Sequence, residues 1–292
     1  IKKDDKVNGT NFKDSCFNWG ILIFESGSKY VNVFIVALNS ADTLMIKWFL
    51  GASFVGFYHT GLKLIDTILI IPGLYGMSIY PFTSKFKNDP TRLKKIIKES
   101  IGIMCLISLP ITCGGLLLGK TILVGIFSEM YGTGVNSFKI LLLTTFPLFI
   151  IFILNNFLLA TNNEKISVKN TAIAFSLNIV INLLLIPKYG INGAAIGTLF
   201  GRLTLFILVI YHIKKLLSLN ALFEKSFFKY LLLSLIMCLI TYCSQLYISN
   251  VFALILIGAF SYILMLILIK DPYLKKTTDL IVTTHVKTTD KK

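Results

Sequence analysis

Charged residues are scarce in this chain: of its 292 residues, 15% are charged and 55% are hydrophobic. Soluble domains carry about 25% charged and about 45–50% apolar residues, so a soluble globular domain is excluded. The apolar residues lie in long runs that do not alternate with polar ones, which excludes the short alternating strands of a β-barrel. Several runs reach the ~20 residues that a membrane-spanning helix requires. The composition therefore predicts an all-α integral membrane protein.

Metal-binding cysteine spacings and long outer loops are also missing. The chain has five cysteines but no CxxC motif, and four of them lie in apolar runs, which is typical of packing. We therefore expect neither a metal nor a cofactor. The predicted outer loops are short, so they offer no place for the catalytic groups of an O-antigen polymerase or glycosyltransferase. We predict that the protein is not an enzyme.

The apolar core of a signal peptide is missing from the start of the chain. Residues 1–16 are polar and the first residue is Ile1 rather than Met, so we expect the C-terminal portion of a longer protein or an unusual start. The net charge of +15 fits the basic residues that flank membrane helices on the cytoplasmic side. Because no soluble basic segment is present, we do not expect nucleic-acid binding.

Eight hydrophobic segments predict about eight transmembrane helices. They lie at residues 18–40, 55–82, 99–126, 138–160, 166–186, 190–213, 227–247 and 251–269. We expect a six-helix lobe followed by two additional helices, with polar ends. The predicted regions are a cytoplasmic segment (1–16), the lobe (17–215), the two additional helices (216–270) and a cytoplasmic tail (271–292).

The distribution of lysine and arginine predicts the orientation. If the first segment is cytoplasmic, the cytoplasmic parts hold 22 of the 29 lysines and arginines and the opposite side holds four. Cytoplasmic loops carry such an excess of positive charge. The pattern indicates a multi-pass protein of the inner (cytoplasmic) membrane with both ends of the chain on the cytoplasmic side.

One face of the first predicted helix is polar along its length. Asn18, Glu25, Asn32 and Asn39 recur every seven residues, a spacing that keeps them on one side of a helix with slow drift. Lys29 follows Glu25 by one turn. A charge at the bilayer centre costs about 2.5–3.5 kcal/mol on insertion scales, so these charges require an explanation.

The second predicted helix has a similar face. His59, Lys63 and Asp66 are spaced i, i+4 and i+7 and therefore share one side. Arg202 lies midway along the sixth segment, where a guanidinium stays charged and needs an anionic partner, carbonyl groups or water. Amides lie at depth on the fifth segment, at Asn178 and Asn182.

Two interpretations of these faces remain open. In the first, Glu25 with Lys29 and Lys63 with Asp66 are local pairs that neutralise each other or reach the membrane interface. In the second, both faces line a cavity that holds an anion by fixed positive charge, while the carboxylates titrate or bind a cation. The polar rows extend over several turns, which one interfacial pair does not require, so we favour the cavity.

Prolines and glycines add expectations about helix geometry. Pro72, Pro110 and Pro147 lie inside predicted helices, where each removes a backbone hydrogen bond and is expected to kink the helix. Glycines recur at every fourth position of residues 193–201. They share one face and predict a close helix–helix contact.

Two stretches carry longer motifs. The first has an Asp, then G-x-x-x-V-G-x-Y, a lysine–leucine helix start, I-P and P-x-x-S, and the second has I-P-x-Y-G-I-x-G-A-A-I-x-T. The positions are Asp42, Gly51, Val55, Gly56, Tyr58, Gly61, Lys63, Leu64, Ile71, Pro72, Pro81 and Ser84 in the first, and Ile186, Pro187, Tyr189, Gly190, Ile191, Gly193, Ala194, Ala195, Ile196 and Thr198 in the second. In this order and spacing they resemble the polysaccharide-biosynthesis flippases of the Wzx type, in the multidrug/oligosaccharidyl-lipid/polysaccharide exporter superfamily.

The resemblance implies a fold and a function. Members have twelve to fourteen helices in two six-helix lobes around a cavity, so this chain would supply the C-terminal part and lack the N-terminal lobe that completes the cavity. They move undecaprenyl-diphosphate-linked oligosaccharides across the cytoplasmic membrane by alternating access, for polysaccharide or O-antigen biosynthesis. The alternative is a multidrug or lipid II exporter of the same superfamily, although cations at depth favour an anionic lipid over a cationic drug.

Site residues follow from the resemblance and the polar faces together. Cationic cavity residues of the family hold the diphosphate, which lysine and arginine recognise by charge-assisted hydrogen bonds. The expected substrate-binding residues are Lys29, Lys63, Arg202, Asn32 and Asn178. Glu25 and Asp66 are expected to couple transport to H⁺ or Na⁺. Of all these, only Lys63 stands at a motif position.

Overall fold

The structure is a computed structural model that describes residues 29–218, 225–248 and 250–273, with side chains described from residue 40 onwards except at residue 225. The regular elements in these ranges are all helical, as the sequence predicted. The helices are α1 (Lys29–Leu50), α2 (Ala52–Ile68), α3 (Ile70–Lys85), α4 (Pro90–Ile126), α5 (Val135–Leu142), α6 (Thr145–Ala160), α7 (Glu164–Tyr189), α8 (Ile191–Leu217), α9 (Lys225–Gln245) and α10 (Val251–Leu268), with a 3₁₀ helix at Glu129–Gly134.

The helices are those of a multi-pass membrane protein. In the described ranges six helical segments are long and apolar enough to span a membrane, and a seventh arises if the pair Glu129–Leu142 and Thr145–Ala160, bent by 45°, forms one span. The predicted total of eight is not confirmed, because most of the first predicted segment lies outside the described residues. The helix that continues it, α1, ends at Leu50, well beyond the expected end at residue 40.

Two of the three prolines predicted to kink helices lie just after helix breaks. Pro72 and Pro147 each stand at the third position of the next helix, α3 and α6, and each removes the hydrogen bond to the residue four positions earlier, beside the break. The helices α2 and α3 still form one span, Ala52–Lys85, and the helices on either side of residues 143–144 are bent by 45°. A proline fits the first turn because the N–H group there has no intrahelical partner. Pro110 lies inside α4, as predicted.

The glycines at positions 193, 197 and 201 lie on the face of α8 that meets α7. A Cβ atom added at Gly197 would lie 2.0 Å from Asn182 Oδ1, and one at Gly201 would lie 3.0 Å from Asn178 Cβ. Larger side chains at these positions would therefore force the helices apart. The close helix contact predicted from the four-residue spacing is confirmed.

The last two helices, α9 and α10, pack against α4. The Tyr262 hydroxyl on α10 donates to the carbonyl oxygen of Leu106 on α4, at 2.9 Å. At the end of the pair, the ammonium of Lys229 and the hydroxyl of Tyr230 both donate to the buried carboxylate of Asp271. The Tyr262 hydrogen bond attaches α10 to the lobe, and the Asp271 contacts join α9 to the end of α10, while the region boundaries stated above stay predictions.

Candidate functional site

A buried carboxylate lies where α1, α2, α7 and α8 meet. Asp42 on α1 is 3% exposed and accepts a hydrogen bond at Oδ1 from Asn182 Nδ2, at 2.6 Å. Its Oδ2 accepts from the hydroxyls of Thr198 (2.5 Å) and Tyr58 (3.1 Å). Asn178 joins the group through its Oδ1, which is 3.3 Å from Asn182 Nδ2. We name Asp42, Tyr58, Asn178, Asn182 and Thr198 the Asp42 cluster.

Two glycine turns bring the members of the cluster together. Gly51 has φ +96° and joins α1 to α2, so that Tyr58 returns beside Asp42. Gly190 has φ +60° and joins α7 to α8, which sets Asn182 near Thr198. Positive φ values are readily adopted by glycine because it has no Cβ. The two motifs thus each contain the turn that places their polar residues.

The surroundings of Asp42 compensate its negative charge only in part. A buried carboxylate is costly unless it is paired and hydrogen-bonded. The three hydrogen bonds described above supply part of the compensation. The guanidinium of Arg202, one turn after Thr198 on α8, lies within electrostatic range and supplies positive charge.

Two amide atoms of the cluster lack a hydrogen-bond partner among the described residues: Asn182 Oδ1 and Asn178 Nδ2. The Nδ2 group of Asn182 lies instead between the Oδ1 atoms of Asp42 and Asn178. The two orientations of an amide have nearly the same shape. If the side-chain amide of Asn182 rotated, its Oδ1 atom would face the Oδ1 atoms of Asp42 and Asn178. The three oxygens would then surround a single point.

The atoms of the cluster favour a particular class of ligand. Carboxylate, amide and hydroxyl oxygens suit hard cations rather than transition metals. Across the described ranges, no group of three or more His, Cys, Asp or Glu side chains is placed to hold a metal ion. The arrangement is therefore suited to a monovalent cation between the oxygens, or to a proton on Asp42.

A second polar group lies on the open side of α2. His59, Lys63 and Asp66 share one face, as predicted, and all three side chains are exposed. His59 Nε2 lies 2.8 Å from Thr43 Oγ1. Among the described side chains Lys63 and Asp66 form no ion pair with each other, which counts against the local-pair interpretation for these two. Asp66 lies within electrostatic range of His59 and Arg202. We name His59, Lys63 and Asp66 the α2 face.

Arg202 follows Thr198 of the Asp42 cluster by one turn of α8 and contacts the junction between α5 and α6. Its Nη1 donates to Thr144 Oγ1 at 2.7 Å, and Thr144 stands at the junction where α5 and α6 bend. A guanidinium carries five N–H donors, and Thr144 is its one hydrogen-bond partner within the part of the chain that the structure describes. Arg202 is half-buried, so its other donors are open to an anion.

The remaining predicted site residues lie outside the described part of the structure or in the buried cluster. Glu25 lies outside the described residues. Lys29 and Asn32 belong to α1, but their side chains are not among those described. Asn178 is 1% exposed, so it contributes to the buried cluster rather than to the exposed α2 face.

Asp42 carries no predicted role, although it stands in the first motif. Because the first helix was predicted to end at residue 40, Asp42 was expected in the loop that follows it. In the structure α1 continues to Leu50 and includes Asp42. Tyr58 and Thr198 likewise stand in the motifs. Polar residues at motif positions within apolar stretches were the available signal, because such residues are costly in a membrane unless they have partners.

Comparisons with known proteins point to one family. A family model described as "Lipid II flippase MurJ" matches residues 81–268, more than half of the chain. A model described as "Polysaccharide biosynthesis protein" matches residues 17–136. A solved structure, "Lipid II flippase MurJ, inward closed conformation", is similar with a TM-score of 0.68 and 19% identity, over 82% of this chain and 52% of that chain. This likeness shows a shared fold.

Similar curated proteins carry flippase or polysaccharide names. The "Probable flippase AglR" of Haloferax volcanii is 25% identical over 54% of this chain and 34% of its own length. The "Probable low-salt glycan biosynthesis flippase Agl15" of the same organism is 26% identical, with the same coverage. The "Capsular polysaccharide biosynthesis protein CapF" of Staphylococcus aureus is 25% identical over 65% of this chain and 51% of its own length. The chain thus spans between a third and a half of these relatives.

Proposed function

Because this chain belongs to the MurJ lipid II flippase family, we propose that it acts in moving a lipid-linked oligosaccharide across the cytoplasmic membrane by alternating access. The lipid carrier is an undecaprenyl diphosphate, and the glycan serves polysaccharide or O-antigen biosynthesis. The observation that carries this proposal is the buried Asp42 cluster, which shares α2 with exposed Lys63 and lies one turn of α8 from Arg202. Such an arrangement supplies both an anion contact and a coupling site.

The diphosphate binds to Lys63 on the α2 face and to the open donors of Arg202. Both side chains carry positive charge at positions that the described helices leave accessible, and charge-assisted hydrogen bonds to phosphate are strong. Lys29 and Asn32 on α1 stay proposed as further substrate-binding residues. The facing wall of the cavity comes from a second lobe of the same fold, which fits the coverage of 52% of the similar MurJ chain.

The coupling ion binds at the Asp42 cluster. Oxygen atoms of neighbouring described residues surround the Asp42 carboxylate. Asn182 Oδ1, which has no hydrogen-bond partner among these residues, supplies a further oxygen ligand when a cation is present. Na⁺ fits these oxygens, and a proton on Asp42 would neutralise the same charge. Glu25 and Asp66 stay proposed as secondary groups that exchange protons or cations near the substrate.

Lipid II is the second candidate substrate. The description of the matching family model favours it, whereas the names of AglR, Agl15 and CapF favour other glycans. A multidrug substrate fits less well, because Lys63 and Arg202 would repel a cationic drug. The proposed role is that of a transporter rather than an enzyme, in the inner (cytoplasmic) membrane, with the predicted orientation that places both ends of this chain on the cytoplasmic side.

The experiment that tests this function replaces Lys63 by Ala in the chromosomal gene of the producing cell. Loss of one charge-assisted contact to phosphate weakens binding by about 1.5–3 kcal/mol, so surface glycan should fall about tenfold or more. Surface glycan is measured by quantitative blotting, and membrane-inserted protein is measured in the same cells. Arg202→Ala is expected to have the same effect.

The matched control is Lys214→Ala. Lys214 is an exposed lysine near the end of α8, away from the α2 face, and its removal should leave surface glycan unchanged. Normal glycan in cells with both Lys63→Ala and Arg202→Ala would overturn the proposed substrate site.

A further inference from the structure

A short basic link joins α3 to α4 where both helices leave the bilayer. The candidate spans Ala52–Lys85 and Pro90–Ile126 are separated by residues 86–89 alone, so this link lies at the membrane surface. Residues 85–99 contain six basic side chains and two acidic ones, which gives this stretch a net positive charge. We name residues 85–99 the basic elbow.

The length of α4 sets the depth of these charges. With 37 residues the helix is about 55 Å long, whereas the hydrocarbon core of a bilayer is about 30 Å thick. Residues 100–119 of α4 carry no charge, and a stretch of ~20 apolar residues fills the core. The first turns of α4, which hold Arg92, Lys94, Lys95 and Lys98, therefore project into the layer of lipid head groups.

The ring of Phe86 brings two of the cations together. Arg92 Cζ lies 4.7 Å from the ring centroid, and Lys85 Nζ lies 5.7 Å from it. Cations are attracted to an aromatic face at such distances. Phe86 itself packs against the hydrophobic core, so the ring is a fixed base. One cation from α3 and one from α4 thus converge at the same place.

The carboxylate in the link, Asp89, is already engaged. Its Oδ1 accepts hydrogen bonds from the backbone N–H groups of Thr91 and Arg92, both at 3.1 Å, and caps α4. Its Oδ2 lies 3.2 Å from Arg92 Nε, which leaves the other guanidinium donors open. Within the described ranges Lys85 and Lys95 form no ion pair, and both are exposed. The elbow therefore presents positive charge to the head-group layer.

An apolar side chain lies next to these charges. Phe82 precedes Phe86 by one turn of α3 and is 61% exposed. Because α3 enters the membrane from the elbow, Phe82 lies deeper in the bilayer than the cations do. A ligand with a phosphate at the surface and an acyl chain below it can contact both, whereas a free phosphate can contact only the cations.

We propose that the basic elbow binds the head group of an anionic phospholipid of the surrounding bilayer, such as phosphatidylglycerol. The lipid phosphate accepts charge-assisted hydrogen bonds from Lys85 and Arg92, and an acyl chain passes Phe82. Lys95, three residues after Arg92 on α4, adds positive charge on the same side. Basic clusters beside membrane helices attract anionic lipids in this way. The site uses other residues than the Asp42 cluster and the α2 face, so it does not depend on the proposed substrate.

The test measures lipid binding by the purified protein, produced from its own gene and kept in a neutral detergent. Phosphatidylglycerol is added at a fixed ratio of lipid to detergent, and binding is followed as the rise in melting temperature. Phosphatidylcholine with the same acyl chains is the neutral comparison and should give a smaller rise. Added salt should weaken the phosphatidylglycerol response by screening, and glycerol 3-phosphate, which has no acyl chain, should give none.

The double variant Lys85→Gln with Arg92→Gln removes the two cations at the Phe86 ring. One basic residue near an anionic surface contributes a factor of about five in affinity, so this variant should bind phosphatidylglycerol about 25-fold more weakly. The matched control, Lys214→Gln with Lys215→Gln, removes the same charge from the exposed end of α8. Its affinity should stay within about twofold of the unaltered protein, since the elbow is intact.

The outcomes distinguish the elbow from total charge and from the transported lipid. Equal losses in the two double variants would show that the lipid responds only to overall charge and would overturn the site. A stronger response to farnesyl diphosphate than to phosphatidylglycerol, lost in Lys85→Gln with Arg92→Gln, would assign the elbow to a prenyl diphosphate and overturn the proposal too. If that variant does not fold, Lys85→Gln alone decides, because about a fivefold loss is expected and an unchanged affinity would contradict the site.

Discussion

At the scale of single residues, the proposed function depends on the buried carboxylate of Asp42. Asp42 makes hydrogen bonds to α2, α7 and α8, yet a carboxylate is not required for these contacts, since an amide could make some of them. Replacing a buried ionised group by a neutral one of the same shape is often neutral or stabilising. A carboxylate at this position therefore points to a role in binding rather than in folding.

Asp42→Asn tests that role. We expect the variant to fold with a free energy of unfolding within about 1–2 kcal/mol of the unaltered protein, since one hydrogen bond is exchanged for another. Its stability should no longer depend on Na⁺, and surface glycan should be lost. Glu164→Gln removes a carboxylate from the exposed start of α7 and should leave both readouts unchanged. A variant that keeps Na⁺-dependent stability would show that the cation binds elsewhere.

The sequence predicted which residues share a helix face but not which residues meet between helices, for a physical reason. Spacing along a helix placed His59, Lys63 and Asp66 on one face, because helix geometry fixes which side chains lie together. It could not join Asp42 to Asn182 and Thr198, which are 140 and 156 residues away. Contacts of that kind depend on how helices pack, and the pattern within one helix contains little information about its neighbours.

At the scale of elements, the contact between α7 and α8 holds the cluster in place. Gly197 lies against the Asn182 amide, and Gly201 lies against the backbone turn that carries Asn178. The glycines therefore bring the amides of α7 to the side of α8 that bears Thr198. These glycines therefore stabilise the contact between α7 and α8 and also position the oxygen ligands.

Gly197→Ala should lower the stability of the fold and disturb the positions of the oxygen ligands. The new methyl would lie 2.0 Å from Asn182 Oδ1, and overpacking of this kind costs about 1–3 kcal/mol. We expect a lower free energy of unfolding, measured by denaturant titration in detergent, and weaker Na⁺ binding. Gly56→Ala is the matched control, because Gly56 is also helical and a Cβ there meets nothing within 4 Å. That change should be neutral or stabilise by up to about 1 kcal/mol, and equal effects of the two substitutions would contradict the packing argument.

Helix breaks show where hydropathy stops being informative. The apolar runs located the membrane segments because their length and composition are set by the bilayer. Hydropathy did not predict the breaks at Leu69 and at residues 143–144, since the sequence stays apolar across them. The prolines did indicate them, because Pro72 and Pro147 lie three or four residues beyond the breaks and each removes a backbone hydrogen bond there.

At the scale of the whole molecule, we propose that the described helices form one wall of a transport cavity. In this proposal the predicted split of basic residues between the two sides of the membrane orients the wall, and Lys63 and Arg202 give it positive charge. The central claim is that this charge holds a lipid-linked diphosphate while the Asp42 cluster binds the ion that drives its movement.

Translocation in reconstituted vesicles tests this claim most directly. Protein produced from its own gene is placed in liposomes with a fluorescent undecaprenyl-diphosphate saccharide, and transfer between leaflets is followed by quenching after a Na⁺ gradient is applied. The account predicts Na⁺-dependent transfer by the unaltered protein, and transfer at the rate of empty vesicles for Asp42→Asn and for Lys63→Ala. Transfer by either variant at the rate of the unaltered protein would contradict it.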